Sequence, residues 1–176
     1  MARVPLVDPE TRPDLAVLTA RISGQRRGKV INVYRTLLNS PALAETWFEH
    51  LNAVRWKTTL DGRLRELVII RIGYLGKVAY ILEQHIPKLA AGDGVTAQEC
   101  EALADWHAYN GFTARERAVL AYTDAVTLSL DASDAEFAAL TPHFDAQGLV
   151  ELTVLIATYN MHARVMKPLA VDLEKD

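Results

Sequence analysis

Apolar residues recur along most of this chain at intervals of three and four, the spacing that gathers them on one face of an α-helix. The segments that carry this pattern are separated by short runs of glycine, proline, serine and aspartate. Residues 1–13 hold three prolines and little periodicity, so they read as an extended arm. Asp14 to Ile22 reads as a short helix, ended by Ser23-Gly24 and a basic turn, Arg26-Arg27-Gly28-Lys29. That turn is read as solvated, with anion binding as the weaker alternative. Val30 to Asn39 forms a second helix. Ser40-Pro41 then opens a long one as N-cap and first-turn proline, with Leu43, Trp47, Leu51 and Val54 as its apolar stripe.

Asp61 caps the next helix, which contains Leu64, Leu67, Val68 and Arg71, and Gly73-Tyr74-Leu75-Gly76 is expected to break it before a further helix over Lys77 to Ala91. Three later helices each open on a capping box, in which a hydroxyl bonds the amide three residues on and a glutamate reaches back. They begin at Thr96-Ala97-Gln98-Glu99, Thr113-Ala114-Arg115-Glu116 and Ser133-Asp134-Ala135-Glu136. The last segment, Ala146 to Pro168, repeats apolar residues at Leu149, Leu152, Leu155, Ile156 and Tyr159. No run alternates apolar and polar residues between turn signals, so strands are not expected. The reading is an all-α, antiparallel helical bundle of about eight helices, with residues 1–176 as a single domain.

Composition narrows the partners. Half of the 176 residues are hydrophobic and 23% are charged, which suits a packed core rather than disorder. A formal net charge of -3 supplies no field that would gather nucleic acid or anionic lipid. Charges interrupt every apolar stretch well short of a membrane span, and the N-terminus lacks a secretion signal. With Cys100 as the sole cysteine, no intramolecular disulfide can form and a reducing cytoplasmic location is expected.

Candidate chemistry centres on Glu66 and His85. Glu66 is an acidic residue among apolar neighbours in one helix, and His85 stands near the end of the next. An antiparallel pairing of those helices would bring carboxylate and imidazole into one cleft. Val78, Ile81, Leu82 and His85 share one face of their helix, so the histidine projects from an apolar lining. Burial would lower its pKa and a neighbouring carboxylate would raise it, leaving a group able to move a proton near neutrality. The competing structural reading is a salt bridge from Glu66 to Arg63 or Arg71 and a core role for His85. His50, His107, His143 and His162 lack metal-ligand spacing, so no metal is expected. Asn160 and His162 are read as packing or capping residues, Cys100 as a small apolar filler, and Trp47, Trp56 and Trp106 as core or interface anchors.

Four stretches resemble the carboxymuconolactone decarboxylase family, which includes the AhpD-like alkylhydroperoxidases. They are Asn32-Val33-Tyr34-Arg35 with Asn39-Ser40-Pro41; Leu64 to Arg71; Tyr80 with Gln84-His85; and Val150-Glu151-Leu152 with Tyr159-Asn160-Met161. The resemblance implies an AhpD-like helical fold and a homo-oligomer, a trimer or hexamer, with sites near subunit contacts. In the peroxidase branch a glutamate is followed twelve and fifteen residues later by paired cysteines and nineteen residues later by a histidine. From Glu66 those positions are Val78, Ile81 and His85, so the glutamate and histidine match while both cysteines are missing.

A thiol peroxidase cycle is therefore not expected. The resemblance implies instead a cofactor-free lyase acting on a small organic acid or lactone, with His85 as acid/base and Glu66 orienting it. Tyr80 and Arg71 would position the substrate, against walls formed by Val78 and Ile81. An oligomeric binding or scaffold protein that has kept the fold without the chemistry is the alternative.

Overall fold

In the computed structural model, which describes residues 2–175, the chain folds into nine α-helices, and no strand occurs among the described residues. In chain order the helices are α1 (Ala16–Gly24), α2 (Asn32–Leu37), α3 (Pro41–Trp56), α4 (Gly62–Gly76), α5 (Ala79–His85), α6 (Ala97–Ala102), α7 (Ala114–Ser129), α8 (Asp134–Ala138) and α9 (Ala146–Met166). The three capping boxes form as their sequences predict, and Asp61 and Asp145 cap α4 and α9 through their side chains. Ser40 occupies the cap position of α3, but its side chain makes no capping bond.

The architecture is organised around α4, which packs against α5, α7 and α9. Every residue from Leu64 to Gly73 is buried, as befits a helix surrounded on all sides. One side of α4 presents Leu64, Val68, Ile69 and Ile72 to a core shared with α3, α5 and α9. Leu67 and Ile70 face a second core with Val95, Cys100, Leu103, Trp106 and Phe112. Burying apolar side chains of this size stabilises the fold by about 1.5–3 kcal/mol each.

Several boundaries differ from those the pattern predicts. The buried side of α3 runs through Ala44, Phe48, Leu51, Val54 and Arg55, while Leu43 points to solvent. The expected break at residues 73–76 does not occur: α4 continues to Gly76, and the chain turns at Lys77, whose φ of 49° is left-handed. Gly73 serves close packing instead. A Cβ there would meet Leu82 Cδ2 at 2.8 Å and Ile81 Cγ2 at 3.0 Å, so glycine lets α5 lie directly against α4. The helix after that turn is shorter than expected. It ends at His85, and residues Ile86–Ala90, with Pro87 among them, form a π-helical turn.

Candidate functional site

The close approach at Gly73 brings the end of α5 beside the middle of α4, where Glu66 is fully buried. His85 Nδ1 lies 2.6 Å from Glu66 Oε2. The second carboxylate oxygen accepts from Arg55 Nη2 at 3.3 Å, and Arg55 Nη1 donates to the Tyr159 hydroxyl at 2.8 Å. Arg55 is itself fixed from α4, since Arg65 Nη1 donates to its backbone carbonyl at 2.8 Å. The Tyr159 ring meets His85 edge-on at 5.7 Å between centroids. Thus α3, α5 and α9 each contribute one member of a buried network and α4 contributes two, Glu66 and Arg65.

The charge states follow from these contacts. Burial pushes Glu66 upward, but the His85 hydrogen bond and the nearby positive charges outweigh it and hold the carboxyl below its usual value. For His85 burial is the larger effect; the Glu66 bond opposes it, and the imidazole stays below its ordinary pKa. These two shifts share one bond. With His85 neutral, the carboxylate is held ionised by the Nδ1–H donor and by Arg55 and Arg65 rather than by an imidazolium. The neutral ring then donates Nδ1–H to Glu66 and keeps Nε2 as a basic lone pair.

His85 lines a cavity of about 260 Å³. Ile81, Tyr80, Val33, Leu51 and Leu89 form apolar walls, Tyr159 and His162 close one side, and Arg26, Arg27 and Arg55 bring three guanidinium groups to it. His162 is buried, which pulls its pKa down to about 3 and keeps it neutral, and its Nδ1 has no hydrogen-bond partner.

Of the residues singled out in the sequence, Glu66 and His85 meet, with Ile81 and Tyr80 beside them. Tyr80 does not offer a free hydroxyl: it accepts from the Val33 amide at 3.1 Å and donates to Glu174 at 2.5 Å. Arg71 is not brought to the cavity. It forms a two-pronged pair with Asp124 at 2.6 and 2.7 Å and donates to the Leu103 and Ala104 carbonyls. Val78 lies at the N-cap of α5 and lines a different depression, with Asn160 and Arg164. Neither Arg63 nor Arg71 pairs with Glu66; Arg55 does.

Arg55, Tyr159, His162 and the Arg26-Arg27 turn are additions that the sequence reading did not assign to the site. Tyr159 and Arg55 are 104 residues apart, and no local spacing signals such a pair. Cys100 is buried in the second core, where burial raises its thiol pKa. No cluster of metal-ligating side chains occurs among the described residues.

The all-helical architecture is one that known proteins share. Residues 41–125, from the start of α3 into α7, match the model of the carboxymuconolactone decarboxylase family. YnjA, an uncharacterized protein of Escherichia coli K12, is 34% identical over 111 residues. That match covers 62% of this chain and 60% of the relative, so the chain spans less than two thirds of the curated protein it resembles. An AhpD-core, peroxidase-related protein from Ralstonia eutropha JMP134 superposes with a TM-score of 0.84 at 20% identity, over 99% of this chain and 93% of the other. The debrominase Bmp8, solved with 2,3,4-tribromopyrrole, gives a TM-score of 0.80 at 18% identity, over 99% and 94%. At those identities the structural likenesses establish a shared AhpD-like fold.

Proposed function

We propose that this protein is a cofactor-free lyase of the carboxymuconolactone decarboxylase type, acting on a small organic acid or lactone by general acid/base proton transfer. The observation that carries this reading is the 2.6 Å bond between Glu66 and a neutral His85 at the wall of an apolar cavity with a cationic rim. Decarboxylation of a lactone acid breaks the bond between carbon and carboxylate. The electron pair moves through the ring to the lactone's carbonyl oxygen, as an enolate. Tyr159, whose oxygen accepts from Arg55, has its own hydrogen left to donate to that oxygen, and the Arg55 charge stabilises it from behind. As negative charge develops, the proton affinity of Nε2 rises, and His85 passes a proton taken from solvent to the ring carbon. Carbon dioxide and the protonated lactone leave.

The test is ultraviolet assay of 4-carboxymuconolactone loss by the parent protein, His85→Ala and Glu66→Gln. Collapse of turnover in both variants supports the reading. A folded parent protein that leaves the lactone untouched overturns this substrate, and a thermal-shift screen of small acids becomes the route to the ligand.

A thiol peroxidase reading is disfavoured by the residues. Valine and isoleucine stand at the two cysteine positions, and Cys100 is a buried thiol of the second core that does not line the cavity. Hydroperoxide consumption lost in Cys100→Ser would reverse this conclusion. The expected homo-oligomer is supported by apolar side chains left in solvent along α9, Val150, Val154 and Met161, and at the end of α7, Leu128 and Leu130. Sedimentation of a single species at monomer mass would remove it. No helix among the described residues is long and apolar enough to cross a membrane.

A further inference from the structure

Three guanidinium groups line the cavity and, among the described residues, no carboxylate does. Two acids bond lining residues from behind the wall: Glu66 is engaged by His85 and Arg55, and Glu174 by the Tyr80 hydroxyl. The three arginines are not equivalent. Arg55 is buried and committed to Glu66 and Tyr159. Arg26 is held by the Tyr34 hydroxyl at 3.1 Å and Asn52 Oδ1 at 2.9 Å, and its guanidinium lies over the rings of Tyr34 and Phe48. Arg27 has one neutral acceptor, Gln84 Oε1, at 2.8 Å. Its side chain is exposed at the cavity rim, and Gln84 immediately precedes His85 in α5.

The backbone explains how Arg27 arrives there. The turn after α1 is tied back by the Arg26 and Gly28 amides to the Ser23 carbonyl. Arg27 and Gly28 both adopt left-handed φ values, 57° and 76°. Glycine adopts that conformation freely and arginine does so at a cost. The reversal carries the Arg27 side chain back across to α5 rather than out along α1.

We propose that Arg27 is the carboxylate-recognising residue of this cavity, with Gln84 as the neutral acceptor that a substrate carboxylate displaces. The exchange replaces an amide oxygen by an ionised one, so the bond gains charge assistance and can become two-pronged. Arg55 and Arg26 gain less, because each would have to abandon a partner that holds its surroundings. A carboxylate bound at Arg27 lies one residue along α5 from the imidazole, which sets the reacting carbon towards Nε2. This inference rests on the cavity being the substrate site, and it names the acidic group that defines the substrate class.

The experiment is calorimetric binding of isophthalate and of its dimethyl ester to the parent protein, Arg27→Gln and His85→Ala. The parent and His85→Ala should prefer the diacid by about tenfold or more, the worth of a charge-assisted bond. Arg27→Gln should bring the two affinities within about twofold, with circular dichroism unchanged because the residue is exposed. A preference that survives in Arg27→Gln, or a parent protein that shows none, overturns the proposal. The two readings fail separately. Arg27-dependent preference in a protein inert towards the lactone removes the lyase reading alone, whereas lactone turnover beside an Arg27-independent preference removes this one alone.

Discussion

Two acid–base clusters sit on the same helix and behave in opposite ways. At the start of α4, Arg63 bonds Glu99 at 2.7 Å and Glu116 at 2.7 Å, the glutamates of two capping boxes. One turn further on, Glu66 bonds His85 and Arg55. In the first cluster every partner is permanently charged at neutral pH. The Arg63 hydrogen bond draws Glu99 down to about 2, and the arginine is raised by the same contacts. Nothing there can exchange a proton near pH 7. In the second cluster one partner is an imidazole whose burial and hydrogen bond oppose each other. Both clusters hold a buried carboxylate; what separates them is the substitution of a titratable ring for a fixed charge.

The comparison can be broken by substitutions on each side of it. The largest expected effect is on turnover: His85→Ala and Glu66→Gln should each lose roughly 10²–10⁴-fold, the usual contribution of a positioned acid/base. Arg71→Met should leave turnover per folded molecule unchanged, because Arg71 serves Asp124. Loss of turnover in a stably folded Arg71→Met protein would return that residue to the site. Arg71→Met strands Asp124, which also accepts from the Trp106 indole, and should cost about 3–5 kcal/mol in denaturant unfolding.

The next effect is the response to acid. His162, buried and neutral, refuses a proton that the unfolded chain accepts, so its contribution is complete above pH 6.5 and is lost as pH falls towards about 3. One such ring lowers stability by up to about 1.4 kcal/mol per pH unit across that window. Glu99 is depressed instead from 4.5 to about 2, so its contribution survives to pH 4.5 and is lost below. Unfolding curves against pH should therefore decline early through the site and late through the Arg63 cluster. His162→Phe should flatten the early part and leave the late part; no change in slope between pH 6.5 and 4.5 would contradict the assignment. The smallest effect belongs to Gly73→Ala. It should push α5 off α4 by a few tenths of an ångström, costing about 1–3 kcal/mol, and lower turnover more than a surface alanine would.

Much of this was legible in the sequence because its causes are local. Three capping boxes and the apolar periodicity specify helices within a few residues, and the nineteen-residue offset of Glu66 and His85 needs only one helix pairing to become a bond. The misplaced features depend on partners distant in the chain. Arg71 has the right charge and helix for a substrate-binding role, yet Asp124, 53 residues on, claims it. Leu43 follows the apolar spacing of α3 but falls on the side that no other helix covers. The basic turn at Arg26-Arg27 looks like any solvated loop until α5 is seen beneath it, 57 residues later.

The wall of the cavity depends on residues far along the chain. Glu174 bonds both the Tyr80 hydroxyl and the Asn32 amide, and Tyr159 and His162 come from the last helix. During synthesis from the N-terminus, Glu66 and His85 emerge from the ribosome long before these partners. A nascent chain that has released only α4 and α5 thus carries the Glu66–His85 pair without the wall that Tyr159, His162 and Glu174 supply or brace.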